Sequence, residues 1–222
     1  MEKIGLFGGT FDPIHYGHLR SAWEVREKFG LDKIFFIPAA VPPHKKTKAV
    51  ESPQHRLEMI LLAVKDCPEL VVSRIELERT GPSYTIDTIL HYRARCGSNV
   101  TLFFIIGSDA FLELCTWKDY GELVRLVPFI VMIRPDSSGA DITQKEKALG
   151  DFIRTKVSSD YTYVPSGSCF THPDRPGIFV HNATSLDISS TRIRSLIQQR
   201  KSIRFLTPQA VEDYIMVKGL YT

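Results

Sequence analysis

Two histidines, His15 and His18, stand three residues apart near the start of the chain, shortly after Gly8-Gly9. Glycines allow a backbone to approach a ligand closely, because they have no side chain to keep it away. The first turn of a helix offers unpaired N–H groups and the positive end of the helix dipole, and imidazoles add further donors. Phosphate oxygens are the natural acceptors for such a group of donors. The segment therefore predicts a phosphate site that suits a triphosphate.

Metal binding and a purely structural role account less well for the two histidines. The segment contains neither G-x-G-x-x-G nor GxxxxGK[ST], which excludes the common dinucleotide and P-loop patterns. A zinc pair would need further ligands, and only Asp12 stands nearby. A structural role, with His18 at a helix cap and His15 in a loop, does not account for their position directly after Gly-Gly. Phosphate binding is the interpretation that uses the whole segment.

A second candidate anion site lies at residues 188–211. This stretch contains no acidic residue and five basic ones: Arg192, Arg194, Arg200, Lys201 and Arg204. Ser189, Ser190 and Thr191 predict the start of a helix, where hydroxyls, free N–H groups and Arg194 would meet. We expect Arg192 and Arg200 to be surface charges. RNA binding through this stretch is an alternative, disfavoured because no exposed aromatics are interleaved with the basic residues beyond Phe205.

Composition limits the class of protein. The chain has 222 residues, is 43% hydrophobic and 24% charged, and carries a net charge of +3. These values are typical of a globular protein, and the slight positive charge does not by itself argue for nucleic acid. No apolar run approaches the roughly 20 residues needed to cross a bilayer, and the first residues do not resemble a signal peptide. We expect one domain over residues 1–222, no membrane or nucleic-acid partner, and a cytoplasmic location, since the four scattered cysteines form no disulfide framework.

Apolar periodicity predicts alternating strands and helices. Continuous apolar runs predict strands at Lys3–Phe7, Lys33–Ile37, Val100–Ile106 and Phe129–Ile133, and helical spacing follows most of them. Strands that are apolar throughout are buried on both faces, as in parallel sheets covered by helices. The predicted fold is α/β, with a doubly wound, mainly parallel sheet. In such sheets ligands bind beyond the carboxyl ends of the strands, where both histidines would stand.

Three further segments complete the predicted secondary structure. Residues Leu70–Leu77 are predicted to be extended, and Asp136–Phe179 is predicted to be a helix plus a surface excursion. From about residue 188 to 222 the chain is predicted to be helical. One helix spans Ser190–Gln199, and a last helix follows Thr207-Pro208 and stops at Gly219.

The run from Gly9 to Leu19 resembles the H-x-G-H signature of the nucleotidyltransferase superfamily, which implies a Rossmann-like fold. Taken in order with further blocks, it resembles bacterial nicotinate-nucleotide adenylyltransferases over nearly the whole chain. H-x-G-H alone would also fit phosphopantetheine or glycerol-phosphate nucleotidyltransferases and class I aminoacyl-tRNA synthetases. Ser83-Tyr84-Thr85 and the Ile188–Arg194 block favour the pyridine-nucleotide branch. The further blocks are Pro42-Pro43-His44-Lys45, Ser83-Tyr84-Thr85 with Asp87-Thr88, Ile106-Gly107-Ser108-Asp109, Trp117, Arg134-Pro135 and Ile188-Ser189-Ser190-Thr191-Arg192-Ile193-Arg194.

The resemblance implies that nicotinate mononucleotide attacks the α-phosphorus of ATP, giving nicotinate adenine dinucleotide and pyrophosphate. It assigns His18 to the α-phosphate, His15 to the triphosphate, Lys45 to a phosphate contact and Arg194 to the departing pyrophosphate. Mg²⁺ would be held mainly by the ATP phosphates and water. The resemblance further implies ATP contacts at Gly9, Thr10, Phe11, Gly107, Asp109, Arg134, Ser189, Ser190 and Thr191, and pyridine-ring contacts at Ser83, Tyr84, Thr85 and Trp117.

The sequence leaves several questions open. The acceptor could be nicotinamide mononucleotide, and the chain could be a non-catalytic nucleotide sensor with the same fold. The Asp136–Phe179 segment looks longer than is usual in the family, and Arg200-Lys201 stands where a glycine often falls. The oligomeric state is not defined by the sequence, and a homo-oligomer is compatible with it.

Overall fold

The structure, a computed structural model, describes residues 1–41, 50–133 and 142–222. Within these ranges eight strands form one sheet in the order β3-β2-β1-β4-β5-β8-β7-β6. The strands from β3 to β8 in that order pair in parallel, whereas β7 and β6 continue the sheet antiparallel. The doubly wound, mainly parallel α/β fold is therefore confirmed. The strands are β1 Glu2–Gly9, β2 Lys33–Pro38, β3 Leu70–Val72, β4 Val100–Gly107, β5 Phe129–Ile133, β6 Thr162–Val164, β7 Cys169–Thr171 and β8 Ile178–Asn182.

Helices cover both faces of the sheet, and several begin and end as the sequence predicts. Ser52 accepts a hydrogen bond from the His55 N–H at the start of α2, and Pro53 is the first helical residue. Gly30 and Gly219 end α1 and α8 in the left-handed region, with φ of 59° and 60°. The helices are α1 Tyr16–Phe29, α2 Pro53–Val64, α3 Thr85–Cys96, α4 Ser108–Leu112, α5 Tyr120–Leu126, α6 Ile142–Phe152, α7 Ser190–Gln198 and α8 Gln209–Lys218. Within the described residues, none of the helices is both long enough and apolar enough to cross a membrane.

Two apolar cores lie on opposite faces of the sheet. Successive residues of a strand point to opposite faces, so neighbours such as Leu6 and Phe7 enter different cores. Phe104 and Ile105 divide in the same way on β4. Burial on both faces explains why these strands are apolar throughout, and it leaves their carboxyl ends as the open edge for a ligand.

Two predictions of secondary structure were correct in one part and wrong in another: the strand begins at Leu70 and the helix of the second segment is α6. The strand expected over Leu70–Leu77 stops at Val72, because the Ser73 N–H makes the last bond to β2 at Phe36 and the chain then turns, with the Leu77 N–H bonded to Arg74. The described part of Asp136–Phe179 is not a surface excursion. It forms α6, a π-helical turn, β6, β7 and the start of β8, and its Tyr161 and Phe170 are buried in the core. Short strands interrupted by Gly, Ser and Pro hide this pattern in the sequence.

Arg56, on α2, is fully buried beneath the carboxyl ends of β1 and β2. Its guanidinium donates to the backbone carbonyls of Glu51 (2.9 Å), Thr10 (2.8 Å), Ala39 (2.7 Å) and Ala40 (3.4 Å). Burial lowers the pKa of Arg56, and the nearby carboxylate of Asp12 opposes that shift. A guanidinium keeps its charge in proteins. One side chain thus fixes the ends of two neighbouring strands against the helix that covers them.

We predict that Arg56→Met lowers the free energy of unfolding by about 3 kcal/mol, because it leaves buried carbonyls without a donor. The melting temperature of the purified protein should fall by about 10 °C. Arg95→Met is the matched control, since Arg95 is an exposed arginine in the last turn of α3. That variant should change the free energy of unfolding by less than about 0.5 kcal/mol. Equal losses in the two variants would contradict the role given to Arg56.

Candidate active site

The loop that follows β1 is shaped by Gly9 and Phe11. Phe11 is buried with a φ of 50°, a left-handed conformation that costs a non-glycine residue about 1–2 kcal/mol. Its ring packs edge to face on Phe7 and Phe36, with centroids 5.5 and 5.4 Å away. A Cβ on Gly9 would lie 2.7 Å from the Phe11 ring, so a side chain at Gly9 would displace the loop. Gly9 therefore serves the packing of Phe11 as well as the approach of a ligand.

The two histidine rings lie against each other at the start of α1. His15 is the N-cap residue, and its ring stacks on that of His18 with centroids 3.7 Å apart. The Phe11 ring meets the His18 ring edge-on at 5.1 Å. A Cβ on Gly17 would lie 3.0 Å from the His15 Nδ1, so the glycine between the histidines makes room for the stack. Packing on several sides fixes both imidazoles at the helix N-terminus.

A cavity of about 290 Å³, called here the histidine cavity, brings the first and last parts of the chain together. On one side is the loop after β1, and on the other is the start of α7. His18 and Arg194 line the same space, as the proposed triphosphate site requires. The lining residues are Thr10, Phe11, Asp12, His15, His18, Ile188, Ser189, Ser190, Thr191 and Arg194.

At the start of α7 two serine hydroxyls take part in hydrogen bonds within the fold. The Ser189 hydroxyl caps the helix by accepting from the Arg192 N–H, and the Ser190 hydroxyl donates to the Pro13 carbonyl at 2.9 Å. Both serines line the histidine cavity together with Thr191 and Arg194, and both hydroxyls also make hydrogen bonds within the fold. The N–H groups of the first turn remain the donors for an anion. Arg192 pairs with Asp187 at 2.9 Å on the surface, as expected.

A second cavity, called here the tryptophan cavity, measures about 360 Å³ and lies at the ends of β1 and β4. Trp117 is half-buried and meets the Phe104 ring edge to face, with centroids 6.3 Å apart. Packing against this buried ring restricts the orientation of the indole. Tyr84 is the N-cap residue of α3, and both Tyr84 and Thr85 line the tryptophan cavity. The first N–H groups of α3, which have no partner within the helix, therefore lie beside this cavity. The lining residues are Gly8, Gly9, Thr10, Ala39, Glu76, Ser83, Tyr84, Thr85, Phe104, Ile106, Gly107, Ala110, Glu113, Thr116, Trp117 and Lys118.

Three charged residues of this cavity, Glu76, Glu113 and Lys118, were not singled out from the sequence. Glu76 is buried and accepts a hydrogen bond from the Thr88 hydroxyl at 2.7 Å. Burial raises the pKa of Glu76, and the bond from Thr88 opposes that shift. The Lys118 Nζ lies 4.8 Å from the centre of the Tyr84 ring and 3.3 Å from an oxygen of Asp87. Lys118 therefore brings a positive charge to the rim beside the predicted pyridine contacts.

The remaining predicted site residues divide into three groups. Gly9 and Gly107 line the tryptophan cavity rather than the histidine cavity, and Thr10 lines both. Asp109 is exposed in the first turn of α4 and lines neither cavity. Lys45 and Arg134 lie outside the described residues. The structure thus gathers the other predicted residues around two spaces that adjoin at Thr10.

Residues at the back of the site were also missed. Asp12 is buried and receives the hydroxyl of Tyr221, a residue from the far end of the chain. Arg56 could have been found as a charged residue on the apolar face of α2, whereas nothing in the sequence connects Tyr221 with Asp12. In the part of the chain that the structure describes, no group of three or more His, Cys, Asp or Glu side chains could hold a metal ion.

Comparison with known proteins finds relatives over nearly the whole chain. The family described as cytidylyltransferase-like matches residues 6–196. A Desulfatibacillum aliphaticivorans protein named probable nicotinate-nucleotide adenylyltransferase is 43% identical over 222 residues, covering 99% of each chain. A Moorella thermoacetica protein of that name is 40% identical, covering 99% of this chain and 91% of its own. The structure of Plasmodium falciparum nicotinic acid mononucleotide adenylyltransferase complexed with NaAD covers 100% of this chain and 98% of its own, with a TM-score of 0.73 and 19% identity.

The structural match has low sequence identity and supports the fold alone. The sequence matches extend over nearly the whole length of both chains, which confirms the resemblance carried by the motifs. The chain therefore belongs to the cytidylyltransferase-like family, in its branch of nicotinate-nucleotide adenylyltransferases.

Proposed function

We propose that the protein transfers the adenylyl group of ATP to nicotinate mononucleotide, with release of pyrophosphate. The observation that carries the proposal is the meeting of the histidine cavity and the tryptophan cavity at Thr10, at the end of β1. One cavity offers donors suited to a triphosphate, and the other offers an aromatic ring beside a helix N-terminus. Two nucleotides bound in them would approach each other through their phosphates. The names of the relatives agree with this reaction.

The chemistry needs positioning more than activation. An oxygen of the mononucleotide 5′-phosphate, already negatively charged, attacks the α-phosphorus of ATP and forms the new P–O bond. The bond from that phosphorus to the oxygen bridging the α- and β-phosphates breaks, and pyrophosphate leaves with its electrons. The protein therefore has to hold two polyanions in line and offset charge at the reacting phosphorus.

Several donors of the histidine cavity suit this task. His18 would donate to an oxygen of the α-phosphate, and His15 to the triphosphate beside it. The first-turn N–H groups of α7 and the Arg194 guanidinium would hold the β- and γ-phosphates that leave. Backbone groups of Thr10 and Phe11 border the same space. On the resemblance alone, Lys45 is proposed as a further phosphate contact.

The adenosine is assigned from the family resemblance, and the metal ion from the ligands that Mg²⁺ prefers. We assign Gly107, Asp109 and Arg134 to the adenosine on the family resemblance, with Asp109 accepting from ribose hydroxyls. Mg²⁺ prefers oxygen ligands and keeps several waters, so it would be held mainly by the phosphates. The side chains of the histidine cavity fit this arrangement, since they are chiefly phosphate donors. When bound, the ion offsets negative charge on the phosphates.

The tryptophan cavity suits the nicotinate ring in its acid form. The ring would stack on Trp117, as bases stack on aromatic side chains. The N–H groups at the start of α3, near Tyr84 and Thr85, donate to a carboxylate and have no acceptor to offer an amide. Lys118 at the rim adds a positive charge that favours the acid. Ser83 supports this segment, since its hydroxyl accepts from the Ala40 N–H at 2.9 Å.

We also propose that the reaction takes place in the cytoplasm. All four cysteines carry free thiols: Cys67, Cys96, Cys115 and Cys169. Disulfides form in oxidising compartments and are rare in the cytosol, so free thiols fit a reducing environment.

The first prediction concerns the acceptor. Pyrophosphate release from ATP should be at least tenfold faster, as kcat/KM, with nicotinate mononucleotide than with nicotinamide mononucleotide, because the N–H groups and Lys118 favour a carboxylate. The measurement is a coupled pyrophosphate assay with each mononucleotide at several concentrations. A preference for the amide would contradict the proposed acceptor while leaving adenylyl transfer in place.

The second prediction separates an enzyme from a nucleotide sensor. His18→Ala should lower kcat about 10²- to 10³-fold, the scale for removing one donor to a transition state, and leave ATP affinity largely unchanged. His91→Ala on α3 is the control, because His91 lines neither cavity. Turnover comes from the pyrophosphate assay, and ATP affinity from calorimetry. A His18→Ala variant with full turnover would exclude the proposed catalytic role.

The third prediction tests the ring stack. Trp117→Ala should raise KM for nicotinate mononucleotide about tenfold, on the scale of one base–aromatic stack, and change KM for ATP less than twofold. Trp23→Ala serves as the control, since Trp23 lies on α1 and lines neither cavity. Steady-state kinetics with each substrate varied in turn give both constants. A loss confined to ATP would place the mononucleotide elsewhere.

A further inference from the structure

One residue that lines the histidine cavity, Asp12, carries a buried carboxylate. Asp12 is 3% exposed, and the hydroxyl of Tyr221 donates to its Oδ1 at 2.7 Å. The Glu51 N–H approaches both oxygens of Asp12, at 3.3 and 3.4 Å. The Arg194 Nη1 lies 3.7 Å from Asp12 Oδ2 and donates to the Asp12 backbone carbonyl at 2.7 Å. Asp12 thus joins the loop after β1 to α7 and to residue 221.

The contacts of Asp12 are divided between its two oxygens. Tyr221 donates to Oδ1, which leaves Oδ2 turned toward the guanidinium of Arg194. Burial and the nearby Asp12 charge raise the pKa of Tyr221, so its hydroxyl keeps its proton and remains a donor. The positive charge of Arg56, fully buried on α2, also acts on this carboxylate.

The Arg194 side chain borders two cavities. It lines the histidine cavity and also a neighbouring cavity of about 520 Å³, called here the C-terminal cavity, which Tyr221 and Glu51 help to line. About a quarter of the Arg194 side chain is exposed, so packing alone does not fix its direction. Its hydrogen bond and ion pair with Asp12 therefore decide toward which cavity the guanidinium points.

We propose that Tyr221 is a positioning residue for adenylyl transfer, acting through Asp12 to hold Arg194 toward the departing pyrophosphate. The inference rests on the proposed function and adds a residue that touches neither nucleotide. Without the Tyr221 hydroxyl, Oδ1 keeps only the longer contact with the Glu51 N–H, and the carboxylate is free to turn. Arg194 then loses its ion pair with Oδ2 and keeps the hydrogen bond to the Asp12 backbone carbonyl, so its guanidinium is held less firmly. The C-terminal cavity gives it space to turn away from the phosphates.

The test is a double-mutant cycle with Tyr221→Phe, Arg194→Ala and the double variant. Tyr221→Phe should lower kcat/KM for ATP about tenfold, the scale of one hydrogen bond to a charged group, and leave KM for nicotinate mononucleotide unchanged. In the Arg194→Ala background the same substitution should change kcat/KM for ATP less than twofold. Neighbouring residues that act through one another show this non-additivity, whereas independent structural effects add.

Two controls separate positioning from stability. Tyr161→Phe removes another buried tyrosine hydroxyl, which donates to the Pro176 carbonyl at 3.0 Å far from the site, and should leave the kinetics unchanged. Thermal unfolding of every variant shows whether a kinetic loss follows a loss of stability. Asp12→Asn replaces Tyr221→Phe in the cycle if Tyr221→Phe folds poorly. It keeps the shape of the side chain and weakens its attraction for Arg194, so it should give the same pattern of losses.

The unaltered protein, Tyr221→Phe, Arg194→Ala and the double variant are also titrated with inorganic pyrophosphate by calorimetry. This gives the double-mutant cycle a readout that does not depend on turnover. We expect Tyr221→Phe to weaken pyrophosphate binding about tenfold in the native background and less than twofold without Arg194. Equal losses in both backgrounds, or no loss at all, would overturn the positioning role. Absence of turnover in the unaltered protein would contradict only the proposed function, because the binding cycle still decides the role of Tyr221.

Discussion

The geometry of the site depends on the hydrogen bonds and the ion pair of the buried Asp12 carboxylate. A charged group taken out of water must be paired, and Asp12 meets that requirement with donors from separate parts of the chain. Glu51 precedes α2, Arg194 belongs to α7, and Tyr221 follows α8. Beneath them, Arg56 binds the carbonyl of Thr10 and so fixes the residues just before Asp12. Pairing one carboxylate therefore brings α2, α7 and the last residues of the chain to the loop after β1.

The sheet decides where this cluster can become a site. From β1 the chain builds outward through β2 and β3, and it then crosses to the other side of β1 to build β4, β5 and β8. The loops after β1 and β4 consequently lead to opposite faces, and a crevice opens between them. Gly8 and Gly9 from β1 and Ile106 and Gly107 from β4 line the tryptophan cavity at this crevice. The strand order of the sheet therefore accounts for the position of the tryptophan cavity beside the histidine cavity.

Local sequence patterns predicted the parts of this arrangement that depend on local physics. Apolar runs identified β1, β2, β4 and β5, and residue type pointed to the starts of α1 and α7, which we propose as the anion-binding positions. The strands β6 to β8 escaped notice because they are short and β6 and β7 pair antiparallel after a helix. The role of the Ser190 hydroxyl depends on a contact with Pro13 across 177 residues, and that of Tyr221 on a contact across 209. Periodicity describes neighbours along the chain and contains no information about such pairs.

The charges of the two cavities show why the substrates would divide between them. Asp12 is the one acidic residue among the described residues that line the histidine cavity, and internal donors already surround its carboxylate. The field there is set by Arg194 and by the N-termini of α1 and α7, which favours the more highly charged triphosphate. Glu76, Glu113 and Lys118 line the tryptophan cavity, where a triphosphate would face carboxylates. A mononucleotide can place its ring beside Trp117 and extend its single phosphate toward Thr10, away from those acids. The charges of the two cavities therefore support the proposal that the triphosphate binds beside the histidines and that phosphate meets phosphate at the end of β1.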